Sequence, residues 1–209
     1  MTISKILING CSHTAGSECK TNYGKIIAET LGCDYVNIAT PGGSNHKIMR
    51  STIEYLSTHN DIDFVLIGWT THERFEFSFD GVPTDYTLAK QSDNPNIEKF
   101  YRFADLHLAD WELGLNFTLS YQVALQSYLI NKNINYAYCN MFNSIPNNCQ
   151  NELWDEIDKN KYIMPHSGFI EEMMNDFPQC FSKTKHAVDP IIHKKIAEKI
   201  LMEMQNGRR

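Results

Sequence analysis

Apolar positions along this chain alternate between two periods through its first third. Ile6, Leu7 and Ile8 form a short unbroken apolar run, with the length and composition of a strand buried on both faces. The run stops at Asn9-Gly10, and small polar residues continue to Gly16. Helical spacing is predicted from about Ser17, with Glu18 and Lys20 in the first turn. Tyr23, Ile26, Ile27, Thr30 and Leu31 share one face of that helix, and Gly32 is placed to cap it. Residues 34–38 read as a second strand that ends in a second glycine-rich turn, Pro41-Gly42-Gly43-Ser44-Asn45. A helix over 45–57 follows, with Ile48, Ile53 and Leu56 at its apolar positions. Residues 63–68 make the third and most apolar strand, predicted to be central.

Three strand–turn–helix units in succession predict a parallel sheet with helical crossovers. Regularity ends after Trp69, and residues 70–102 are aromatic, polar and aperiodic. A connection that long is expected to be a functional lid or an insertion. A long helix is predicted over 106–131, a fourth strand over 134–139, and short helices over 152–159 and 168–175. An amphipathic helix over 190–205 comes last, with Ile192, Ile196, Ile200 and Leu201 inward. No Pro/Gly/Ser linker divides the chain. The prediction is one three-layer α/β/α domain over 1–209, with a mostly parallel, flavodoxin-like central sheet and an irregular insertion or lid at about 70–105.

Charge and cysteine usage narrow the partners. The net charge of −6 argues against nucleic acid, which needs a concentrated basic face. Lysines near 183–185 and 194–195 read as a solvated helix face. No apolar run approaches the roughly 20 residues of a membrane span, and nothing near Met1 resembles a secretory signal. Six cysteines without a CxxC pair then read as free thiols of a cytoplasmic protein, Cys11 being the most reactive.

Candidate chemistry lies where the strands end. Loops after parallel strands converge on one edge of the sheet, where open α/β sheets bind ligands. The first loop offers Ser12 and His13, the second Gly42, Gly43, Ser44 and Asn45, and the third Trp69, Thr70, Thr71, His72 and Arg74. The segment before the last helix adds His186, Asp189 and His193. A serine beside a histidine and outward backbone N–H groups meets the needs of acyl transfer. His13, His72 and His186 lack metal-ligand spacing such as HxxxH, so neither a metal nor another cofactor is assigned. His193 reads as a structural residue of the last helix. Arg74, between Glu73 and Glu76, is either an anion clamp or, more commonly, half of a surface ion pair.

On these blocks the chain resembles the SGNH (GDSL-type) hydrolase superfamily. Gly10-Cys11-Ser12-His13-Thr14 stands at the family's Gly-Asp-Ser block, so the resemblance makes Ser12 the nucleophile, with Cys11 in place of the Asp. Pro41-Gly42-Gly43-Ser44-Asn45 resembles the oxyanion-glycine block, with Gly42 the better match. Gly68-Trp69-Thr70 occupies the Gly-x-Asn block without its Asn, and Thr70 or Asn45 could replace that donor. The Asp-x-x-His block is represented by His186, with Lys183 where the Asp belongs, so Asp189 or Glu73 is the expected acid. The implied activity is hydrolysis of a small-molecule ester by a Ser–His mechanism. The site would comprise Ser12, His186 and Asp189, with Gly42, Ser44, Asn45, Thr70, His13, Trp69 and Arg74 around the substrate. Ser12 is expected to be solvent-accessible.

Two other readings stay open. The missing Asp and Asn fit a catalytically weakened binding or assembly protein. The hydroxyl-rich turn 12–17 also fits a flavodoxin-like phosphate or flavin binder. Trp69, Phe75, Phe77, Phe79 and Tyr86 could line a lid over a pocket, pack on the sheet edge, or form a subunit interface of a homo-oligomer.

Overall fold

A computed structural model describes residues 3–87, 91–108, 110–142 and 145–206. Its centre is a five-stranded parallel sheet. The strands are β1 (Lys5–Gly10), β2 (Asp34–Asn37), β3 (Phe64–Trp69), β6 (Asn135–Asn140) and β7 (Tyr162–Ile163), in the order β2-β1-β3-β6-β7. The four predicted strands are all present and parallel. The two-residue β7, paired to β6, is too short to leave a periodic signal in sequence.

Strand alternation divides the core in two. Ile6, Ile8, Leu66, Ala137 and Cys139 face one side. There they meet α2 (Tyr23–Leu31), α7 (Phe169–Asp176) and α8 (Pro190–Asn206) through Ile27, Phe169, Ile192, Ile196 and Ile200. Leu7, Val65, Ile67, Trp69, Tyr136 and Tyr138 face the other side. They pack on α3 (Asn45–Thr58) and α5 (Trp111–Asn131) through Ile48, Leu56, Leu115, Leu119, Leu125 and Leu129. Helices on both faces complete three layers, as predicted.

Capping residues explain where several boundaries depart from expectation. The first long helix starts at Tyr23 because Asn22 caps it, accepting from Lys25 N at 2.9 Å. Residues 12–15 form instead a four-residue helix, α1 (Ser12–Ala15), closed by Gly16 at φ 79°. The predicted helix over 106–131 is two helices. Asp110 caps α5 by accepting from Leu113 N at 2.7 Å, which ends α4 (Pro95–His107) as a separate element.

The stretch at about 70–105 is more regular than its composition indicates. β4 (Phe75–Phe79) and β5 (Val82–Tyr86) pair antiparallel across Asp80-Gly81, whose φ values of 49° and 77° suit a two-residue hairpin turn. Phe75 and Phe77 pack with Tyr86, Phe100, Tyr101 and Ala104 in a small core between the hairpin and α4. These rings therefore stabilise the hairpin, and Phe75 also borders a cavity.

All six cysteines are free, and Cys11 is fully buried, so it is not the exposed reactive thiol its position implied. No described helix is long and apolar enough to cross a membrane.

Candidate active site

Two facing glycines set the first part of the site. Gly10 and Gly68 are register partners at the ends of β1 and β3. A Cβ on Gly10 would collide with Thr14 Oγ1 and the Gly68 carbonyl, and one on Gly68 would lie 2.7 Å from the Tyr23 hydroxyl. Their absent side chains let α1 press onto the strand ends, where Thr14 Oγ1 and Tyr23 OH share a 2.8 Å hydrogen bond. Asn37 at the end of β2 donates to Thr14 O, tying a third strand to the same turn.

This packing buries Ser12 to 6% exposure, a correction to the expected accessible nucleophile. Its side chain makes no hydrogen bond among the described residues. Its carbonyl accepts from Ser17 N at 2.9 Å and so holds the turn that carries Glu18.

His186 is brought to this turn by a local device. Phe181 and Ala187 form an isolated antiparallel bridge around a tight turn, with Ser182 N donating to His186 O at 2.8 Å and Lys185 N to Ser182 O at 2.9 Å. The His186 ring stacks on His13, the neighbour of Ser12, with centroids 5.2 Å apart. Its Nδ1 lies 3.2 Å from Glu18 Oε1 and 3.2 Å from Thr184 Oγ1. Thr184 donates to the same carboxylate oxygen at 2.6 Å. The hydroxyls of Thr184 and Ser182, and then His186, hold the Glu18 carboxyl below its ordinary range. A carboxylate only accepts, so this contact places a hydrogen on Nδ1, and in the neutral ring the lone pair is then on Nε2.

Glu18 is the contact residue at this turn that sequence reasoning did not single out. It sits at φ 64° and Lys185, immediately before His186, at φ 61°. Non-glycine residues held in the left-handed region gather where a structure needs a particular side-chain placement, and here both flank one contact. Asp189, the expected acid, is occupied elsewhere. Its Oδ1 accepts from Ile191 N at 2.9 Å at the start of α8, and its Oδ2 faces Cys180 Sγ at 3.8 Å.

The other predicted residues divide sharply. Ser44 caps α3, accepting from Lys47 N, and its own N donates to Asp85. Asn45 is a clamp: its Nδ2 donates to Thr70 O at 3.2 Å and Thr118 Oγ1 at 2.9 Å, and its Oδ1 accepts from Thr70 N at 2.9 Å. It has no donor left for an oxyanion. Trp69 is the last residue of β3 and lies fully buried, edge-on to Tyr138, so it belongs to the core and not to a pocket wall. Gly42 adopts φ 75° with open space on its Cβ side, which keeps it free to face a ligand. Gly43 lies beneath it, near Gly10 O.

Along 69–74 several side-chain polar atoms are buried but unpaired. Trp69 Nε1, Thr70 Oγ1, His72 Nε2, Arg74 Nε and Arg74 Nη1 have no hydrogen-bond partner among the described residues, and neither does His13 Nδ1. His72 keeps one contact, Nδ1 to Thr118 Oγ1 at 3.3 Å, and burial pushes it down to about 4. Burial, followed by the charges of His186, His193 and Arg74, pushes His13 down to about 3. His193 stacks 6.4 Å from Tyr23, is pushed by burial to about 4, and also has its Nδ1 buried without a partner among the described residues. Among the described residues, no group of three His, Cys, Asp or Glu side chains is arranged to hold a metal ion.

A family described as a family of unknown function (DUF6071) matches residues 16–164. The chain belongs to that family. The matched span takes in Glu18, Gly42, Asn45, Thr70 and Arg74. No curated protein sequence matches the chain. Among solved structures it is similar to the psychrotrophic esterase EstA from Pseudoalteromonas sp., at 13% identity and TM-score 0.58, covering 97% of each chain. An acetyl xylan esterase, AlAXEase, is similar at 13% identity and TM-score 0.56, covering 95% of this chain and 98% of that one. A putative GDSL-like lipase from Parabacteroides merdae aligns at 13% identity and TM-score 0.54, over 96% of this chain and 94% of its own. This DUF6071 protein therefore has the fold of the GDSL-type esterases, as its strand-end blocks implied.

Proposed function

We propose that the protein is a serine hydrolase of small esters, with Ser12 as nucleophile, His186 as general base and Glu18 as the carboxylate that orients the imidazole. The observation that carries this reading is the His186–Glu18 contact at 3.2 Å, made by a ring stacked on the residue next to Ser12. Ser12 Oγ attacks the ester carbonyl carbon while His186 Nε2 takes its proton. The tetrahedral intermediate collapses, and the alcohol leaves with the proton returned by His186. Water then attacks the acyl-serine, His186 again accepts a proton, and the acid departs as Ser12 is restored. Backbone N–H groups of Ser12 and Gly42 are the oxyanion donors of this reading, and the unpaired Thr70 hydroxyl supplies a third.

One of the similar folds is named as an acetyl xylan esterase, which makes acetyl esters the first substrates to try. Turnover of p-nitrophenyl acetate is expected to fall at least about a thousandfold in Ser12→Ala and in His186→Ala. Glu18→Gln lowers kcat about tenfold with KM unchanged, a smaller loss than for a buried acid because this carboxylate is partly open to water. Full activity in Ser12→Ala would overturn the reading.

A further inference from the structure

Arg74 holds a charge that the fold leaves unanswered. Its Nε and Nη1 are buried without hydrogen-bond partners, and it makes no ion pair among the described residues. Neither carboxylate beside it in sequence pairs with it among the described residues. Glu76 is bound by Arg50 at 2.8 Å and faces His46 at 3.3 Å, while Glu73 borders the same cavity as Arg74 without an ion pair to it. A desolvated guanidinium donor without an acceptor is unfavourable, and folded chains seldom leave one so. Its surroundings lead to the candidate active site. The guanidinium lies 6.0 Å from the Phe142 ring centroid, Phe142 meets His13 edge-on at 5.1 Å, and His13 stacks on His186. On its other side Arg74 borders a cavity of about 190 Å³ with Phe75, Leu108, Leu113 and Phe117.

We infer that Arg74 is the anchor of an anionic subsite, and that the ester hydrolysed carries a carboxylate held by this guanidinium, its apolar linker running past Phe142 and His13 toward Ser12. The inference rests on the serine-hydrolase reading for its reaction and on Arg74 alone for its specificity. A neutral His13 supports it, since its ring then adds no second positive charge beside Phe142. Arginine suits the task because its donors are fixed in a plane and stay charged at every working pH.

The test compares monomethyl adipate with methyl hexanoate, which differ by a terminal carboxylate against a methyl group. Wild-type protein is expected to favour the carboxylate ester by about 30-fold or more in kcat/KM, the range of a charge-assisted contact. Arg74→Met lowers that ratio to near one, and Arg74→Lys gives an intermediate ratio. Calorimetry with adipate on Ser12→Ala supplies a readout that needs no turnover, with binding that Arg74→Met removes. Equal preference for the two esters in wild-type protein overturns the inference, as does an equal loss on both in Arg74→Met, which would put the guanidinium at the reacting carbonyl. Arg74-dependent adipate binding without hydrolysis of any ester would retain the anionic subsite while removing the hydrolase reading. Ser12-dependent hydrolysis without adipate binding would do the reverse.

Discussion

The loops after β2 and β3 reach the same edge of the sheet and treat their polar groups in opposite ways. The first delivers Asn45, whose amide is saturated by Thr70, Thr71 and Thr118, and Ser44, whose hydroxyl caps a helix. The second delivers Thr70, His72 and Arg74, each with a buried polar atom left unpaired. Both loops are glycine- or threonine-rich and equally polar in sequence. A saturated buried group holds the fold, whereas Thr70, His72 and Arg74 keep donors or acceptors that a ligand could meet, although core residues such as Trp69 and His193 also leave one unpaired.

The largest expected effect comes from breaking the saturated side. Asn45→Leu leaves Thr70 N, Thr70 O and Thr118 Oγ1 buried without that partner, at about 1–3 kcal/mol each. A total loss of about 5 kcal/mol, read as a fall of roughly 10 °C or more in Tm, is expected. A shift within about 2 °C would show that Asn45 is no clamp.

Acid sharpens the comparison from the unsaturated side. His13, His72 and His193 are depressed to about 3, 4 and 4, below the ordinary value near 6.5. The unfolded chain therefore binds more protons than the fold between those values. Stability is complete above about pH 6.5 and is lost as pH falls toward 4. Each histidine contributes about 1 kcal/mol per pH unit in that window, so urea unfolding at pH 5 should show about 3 kcal/mol less stability than at pH 6. A flat profile would mean that these rings protonate in place.

The edge of the sheet was legible because its signals are local. Apolar runs give the strands, and the glycine turns mark their ends. Trp69 was misplaced because it follows an obvious strand, yet the alternation through Val65 and Ile67 carries it into the same core face. The Asp80-Gly81 turn between alternating aromatics announces the hairpin, but the polar residues around it hide the signal. Glu18 had no such signature. Its hydroxyl partner Thr184 lies 166 positions away, and only the folded turn at Lys185 brings them together. Saturation is likewise a property of the packed state: nothing in the string of residues distinguishes the clamp Asn45 from the unpaired Arg74.

The smallest expected effect is on stability at the unsaturated site. Arg74→Met removes no hydrogen bond made by the guanidinium Nε or Nη1, and the residue is only partly buried, so Tm should move by less than about 2 °C. A fall comparable to that of Asn45→Leu would place Arg74 in the scaffold and erase the contrast.

Covalent labelling tests the central claim most directly. After incubation with diethyl p-nitrophenyl phosphate, intact-mass and peptide analysis should find one diethylphosphoryl group, on Ser12. The same treatment should leave Ser12→Ala unmodified and slow modification in His186→Ala and Glu18→Gln. An unmodified wild-type protein, or a label that persists in Ser12→Ala, would contradict the assignment of Ser12 as the nucleophile.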